Sequence, residues 1–169
     1  MRLDIIKKRN VGFAKMLYDQ RRYQEAEVII KDNLVNAEAK YLMGKICLKK
    51  NEVEEAKLWF DRAINNNYKW IKPRIALARI WIEEGFLEKA EREYDVCMKR
   101  EPKNAELKLE VAKFYITKDD TEKAKKLVEK AIRLKPSNEK ILRKSLEVYD
   151  KIQNYDAMYD ICEELRETN

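Results

Sequence analysis

The chain has 169 residues, of which 40% are charged, with 37 Lys and Arg against 31 Asp and Glu and a net charge of +6; its mean hydropathy is −0.72 and its pI about 9.0. No apolar stretch approaches the roughly 18 residues of a membrane helix, and the basic first ten residues lead into no apolar core segment, so neither a membrane span nor a signal peptide is predicted. Histidine is absent, Ser137 and Ser145 are the two serines, and there is no glycine-rich phosphate loop, which excludes Ser or Cys nucleophiles with a His base in their usual form and leaves no catalytic residue, metal set or cofactor site to name.

Apolar residues recur at helical spacing and predict ten helices. The first, 3 to 20, carries Phe13, Ala14 and Leu17; the second, 22 to 33, carries Ala26 and Ile30. Helix 37 to 50 brings Met43, Gly44 and Cys47, and 53 to 66 brings Ala56 and Phe60, with Tyr68 beyond it. Helix 71 to 84 has Leu77, Ala78 and Trp81, and 87 to 100 has Ala90 and Tyr94 before Pro102. Helix 105 to 118 has Val111, Ala112 and Tyr115, and 121 to 134 has Ala124 and Val128 before Pro136. The last pair, 139 to 152 and 155 to 167, has Ser145, Leu146, Tyr149, Met158 and Cys162. Breaks fall at Asn36, Asn51, Asn65 to Asn67, Gly85, Glu101 to Asn104, Asp119 with Asp120, and Pro136 to Asn138.

Ala56, Ala90 and Ala124 stand 34 residues apart, and each lies twelve residues after another small residue. Antiparallel helices approach closely only where one shows Ala or Gly, and large neighbours then fill the space on either side. Upstream, Ala26 stands only 30 residues before Ala56, so one helical turn is missing and the second helix should be short. Downstream, Leu146 and Met158 overfill both small slots, which makes the last repeat degenerate. Three Gly and three Pro leave no linker, and residues 1–169 are expected to form one domain. Cys47, Cys97 and Cys162 fall in packing slots and read as small buried hydrophobes of a reducing compartment, the cytoplasm, rather than as disulfides or zinc ligands.

The order of large-small pair, aromatic, alanine, aromatic and proline at these offsets resembles the tetratricopeptide repeat. The resemblance runs from Lys7 to Asn169, with strong repeats at about 37–70, 71–104 and 105–138, a shortened one at about 7–36 and a degenerate one at 139–169. It implies an all-α, right-handed α-solenoid of about five antiparallel helix pairs, a non-catalytic scaffold whose first helices line a concave groove for a partner peptide or helix. The residue after each first-helix small slot should face that groove, giving Lys15, Lys45, Arg79, Lys113 and then Glu147. Residues four before and three after share the face: Val11, Tyr41, Ile75 and Leu109 on one side, Tyr18, Leu48, Ile82 and Ile116 on the other. Arg143 and Asp150 end these apolar rows in the fifth repeat. A basic ladder between apolar rows fits an acidic, apolar segment; the alternative is that the rows pack neighbouring first helices and the lysines are solvated. Relatives that clamp acidic chaperone tails need Lys and Asn four apart, then Asn, then Lys and Arg. Here those places hold Val11 and Lys15, Leu42, Lys72 and Ala76, and one repeat later Tyr41 and Lys45, Ala76, Glu106 and Glu110, so that subtype is not expected.

Two further features bear on partners. Residues 1–22 hold seven basic and two acidic residues, a net of +5, and residues 156–169 hold one basic and five acidic, a net of −4. Head-to-tail self-association, with Leu3, Ile5 and Ile6 as its apolar part, would use that contrast; a polar end cap with a chance cluster is the alternative. Nucleic acid is a second partner class suggested by net charge, but the basic residues are interleaved with acids and most Tyr and Trp occupy packing slots. Trp59 and Trp70 stand outside those slots. Adjacent carboxylates such as Glu54 with Glu55 and Glu83 with Glu84 point about 100° apart on a helix and read as solvated. The array has no extra polar closing helix, which is compatible with a domain of a longer protein.

Overall fold

The computed structural model describes residues 2–167, with side-chain surroundings from Asn10 to Arg166. Ten α-helices make up the described chain: α1 Arg2–Asp19, α2 Tyr23–Lys31, α3 Ala37–Lys49, α4 Val53–Asn66, α5 Lys72–Glu83, α6 Leu87–Arg100, α7 Ala105–Thr117, α8 Thr121–Leu134, α9 Glu139–Lys151 and α10 Tyr155–Glu167. All ten lie within a residue or two of the expected bounds on both sides, and α2 has nine residues where α4 has fourteen, as the missing turn requires. What stops α2 is Asn33, which is 6% exposed. Its amide donates to the Ile29 carbonyl at 2.7 Å and its Oδ1 accepts from Asn10 at 3.3 Å.

The helix boundaries have local causes. Asn36, Asn104, Asp120 and Asn138 each accept the backbone N–H three residues on, at 2.8–3.0 Å, and so start α3, α7, α8 and α9. Every turn inside a helix pair is built the same way. Arg21, Asn51, Gly85, Asp119 and Gln153 have φ between 55° and 80°, and the next N–H in each case reaches back five residues, as from Glu52 to Cys47 at 2.9 Å and from Asn154 to Tyr149 at 2.9 Å. This is the Schellman closure, repeated five times although glycine occupies its left-handed position only once.

The helices cluster into two compact units, one running to Glu93 and one from Tyr94. In the first, α1 packs on α2, α3 on α4, and α3 also lies on α1 and α2, while α5 packs on α4. Ala14, Ala26 and Ala56 are 0% exposed, and Leu17, Ile30, Ile46 and Phe60 fill the space around them. At Gly44 the helices approach so closely that a Cβ would lie 2.6 Å from Phe60 Cε1. In the second unit α7 packs on α8, α9 lies on both, and α10 packs on α9. Ala112, Ala124 and Ala131 are 0% exposed against Val128, Ile141 and Val148. Leu146 and Met158, the oversized residues of the last repeat, are only partly buried at the edge of this core.

Cysteine placement departs from expectation at one position. Cys47 and Cys97 are buried, but Cys162 is exposed. Its side of α10 carries Tyr155 and Tyr159, 64% and 66% exposed, so the helix turns Ile161 and Leu165 inward and leaves Cys162 outside. The side chains of Leu3, Ile5 and Ile6 lie outside the described residues.

Candidate peptide-binding cleft

In the first unit α1, α3 and the start of α5 bring several of the expected groove residues together. Val11 and Lys15 lie one turn apart on α1, and Tyr41 and Lys45 one turn apart on α3. With Leu42, Trp70 and Lys72 they line a cavity of about 250 Å³, to which Glu38 adds one carboxylate. Two aromatic rings form its wall: Trp70 meets Tyr41 edge-on at 5.0 Å, and Tyr41 leans on buried Phe60 at 5.6 Å. A second hollow of about 600 Å³, bounded by Asn36, Asn66 and Asn67, shares Glu38, Trp70 and Lys72 with the first, so Trp70 stands between the two.

The charge of the cleft is one-sided. Lys15, Lys45 and Lys72 face a single lining carboxylate, and none of the three is ion-paired among the described residues. Lys45 instead sits over the Tyr18 ring at 4.0 Å. Burial lowers its pKa, Lys15, Lys49 and Lys72 lower it further, and Asp19 opposes them. Burial raises the Tyr41 phenol, an effect that the positive charge of Arg79 partly offsets, which puts Arg79 within electrostatic reach of the aromatic wall. Tyr18, whose phenol is likewise raised by burial, packs on Tyr23 at 5.3 Å. Leu48, Ile75 and Ile82 are half-buried.

The second unit differs at the equivalent positions. Lys113 pairs with Glu147 one repeat on, at 2.5 Å, and Glu106 pairs with Lys140 at 2.8 Å. The hydrogen bond from Lys113 holds the Glu147 carboxyl below its ordinary pKa. Leu109 is 2% exposed and belongs to the core, and Ile116 is partly buried against it. At these groove positions, uncompensated cations beside apolar side chains are therefore found in the first unit. Sequence reasoning placed Lys15, Tyr41 and Lys45 at this site, noted Trp70 and Lys72 without assigning them to it, and missed Glu38. Trp70 lies in the turn before α5, off the helical register from which the groove positions are counted.

Among the described residues no helix is long and apolar enough to cross a membrane, and no group of three metal-ligating side chains converges. Antiparallel helix pairs of common length, each turned by the same closure and stacked through small-residue slots, define a helical-repeat protein. The tetratricopeptide-repeat model matches residues 37–69 and 105–138, so those two stretches are tetratricopeptide repeats. Solved structures of the same fold include PilF of Pseudomonas aeruginosa, with a TM-score of 0.80, 12% identity and coverage of 100% of this chain and 79% of that one. TTC0263 of Thermus thermophilus matches with a TM-score of 0.69, 20% identity and coverage of 92% and 87%. YrrB, described as a tetratricopeptide-repeat protein with an unusual peptide-binding site, matches with a TM-score of 0.66, 21% identity and coverage of 83% and 73%. A search of curated protein sequences found no match.

Proposed function

We propose that the protein is a non-catalytic cytoplasmic scaffold that holds an acidic segment of a partner protein in the cleft of its first unit, with one apolar or aromatic side chain of that segment entering the cavity. The carrying observation is the cavity itself, walled by Tyr41 and Trp70 and bordered by Lys15, Lys45 and Lys72 without matching carboxylates. A partner carboxylate beside partly buried Lys45 would form a charge-assisted contact of about 1.5–3 kcal/mol. A side chain of Leu or Phe size would contribute on the order of 1.5–3 kcal/mol by leaving water. The peptide-binding site ascribed to YrrB, a protein of the same fold, supports the general reading.

Selection from a displayed random-peptide library tests it. Wild type should enrich sequences with two or more Asp or Glu flanking an aromatic or large aliphatic residue. Lys45→Glu combined with Lys72→Glu, once circular dichroism confirms unchanged helicity, should lose that enrichment. Recovery of the same sequences by both proteins contradicts the assignment.

A further inference from the structure

Across the repeats, two first-helix positions are closed by packing. The first of them holds Met43, Leu77, Val111 and Ser145, all at most 4% exposed. The second holds Ile46, Ile80, Phe114 and Val148, all at most 2% exposed. In α1 the same two positions hold Phe13 and Met16, which are 48% and 45% exposed. α1 therefore presents the packing face of a first helix uncovered.

α10 presents the reciprocal situation. The position filled by Ile30, Phe60, Tyr94 and Val128, none more than 2% exposed, is Cys162 in α10, and it is exposed. Tyr159 and Tyr155 lie one and two turns before it on the same side, and they are among the most open of the exposed large apolar side chains. Where repeats meet within the first unit, the first helix α3 lies on both α1 and α2; within the second unit, α9 lies on both α7 and α8. Among the described residues, α1 thus offers the packing face of a first helix open to solvent, and α10 offers the outer face of a second helix likewise open.

We infer that the uncovered face of α1 docks on the outer face of α10 of a second copy, Phe13 and Met16 against Tyr155, Tyr159 and Cys162, reproducing between molecules the contact by which repeats stack. Charge selects this occupant: residues 1–22 carry seven basic and two acidic residues, and residues 156–169 carry one basic and five acidic. Opposite charges steer the two ends together, and like charges oppose α1-to-α1 or α10-to-α10 pairing. The contact joins two different surfaces, so each added copy leaves one of each free, and association proceeds to chains or rings rather than halting at two.

Sedimentation equilibrium on three proteins tests this. Wild type should rise from the 20.3 kDa monomer toward larger species with concentration, more weakly at high salt. A variant with Phe13→Ser and Met16→Ser, and another with Tyr155→Ser and Tyr159→Ser, should each stay monomeric with unchanged helicity, since these side chains are open to solvent. Mixed in equal amounts, the two variants each retain one intact face and should form a dimer and nothing larger. A monomeric wild type at about 100 μM overturns the inference, as does association that both variants retain or a mixture that stays monomeric. Self-association abolished by Lys45→Glu but kept by the two end variants overturns it as well, because the contact would then lie in the cleft.

Discussion

Replacing Gly44 by alanine is a sensitive probe of how the helix pairs are held together. A Cβ at this position would stand 2.6, 2.8 and 3.0 Å from Cε1, Cδ1 and Cζ of Phe60, where carbon atoms ordinarily rest about 3.5–4 Å apart. The ring would have to retreat by about an ångström. It is 0% exposed and already rests against Tyr41 with centroids 5.6 Å apart, so the displacement must pass into its neighbours. Overpacking of this kind costs about 1–3 kcal/mol. Alanine in a helix interior returns about 1 kcal/mol relative to glycine, so the net loss should be about 1 kcal/mol, a fall in Tm of about 2–4 °C. The next repeat but one has Ala112 in the place of Gly44 and Val128 in the place of Phe60. Phe60→Val should therefore cost less in the Gly44→Ala background than in wild type, with a coupling of about 1–2 kcal/mol. Urea unfolding followed by circular dichroism on the four proteins of this cycle measures it. A rise in stability for Gly44→Ala together with additive effects would refute the claim that the ring is confined.

Three further perturbations follow from the structure. Gln153→Gly should stabilise the second unit by about 0.5–1 kcal/mol, because Gln153 sits at φ 55° and glycine relieves that conformation; thermal melts check it, with Gly85→Ala expected to move the opposite way. Glu27 is held below its ordinary carboxyl pKa, first by its hydrogen bond from Lys31 and also by Lys50 across the repeat boundary. Its contribution, about 0.5 kcal/mol, is present above the unfolded pKa and lost as pH falls through the lowered one; Glu27→Gln should remove that part of the acid dependence in pH-dependent unfolding. Lys113→Ala should leave peptide binding within about twofold of wild type in calorimetry, because that ammonium is engaged by Glu147 rather than offered to a ligand.

The helix order was legible because alanine at fixed spacing has one efficient use, the close crossing of two helices, and because asparagine and aspartate caps announce α3, α7, α8 and α9. The left-handed turn residues were legible at Asn51, Gly85 and Asp119, but Arg21 and Gln153 carry no such signal and adopt the geometry because the packed pair on either side demands it. The site was half legible. Register counting finds Lys15, Tyr41 and Lys45 because they stand on regular helices. It overextends to Leu109 and Lys113, since equivalent register does not reveal that one residue has sunk into the core and the other has found a carboxylate 34 positions away. Glu38 and Trp70 enter through the turns between pairs, where helical periodicity says nothing about what faces the cleft. Cys162 reads as buried in sequence because every equivalent residue is; its exposure follows from what is not packed against α10, which no local pattern encodes.

The most direct test of the cleft is an amide and indole NMR titration of the whole protein with a selected acidic-aromatic peptide. Binding at the proposed site predicts that the Trp70 indole and the amides around Lys15, Tyr41 and Lys45 shift first and saturate together, while those around Leu109, Lys113 and Ile116 stay in place. Shifts concentrated in the second unit, or on the outer faces of the helices with Trp70 unmoved, would contradict it.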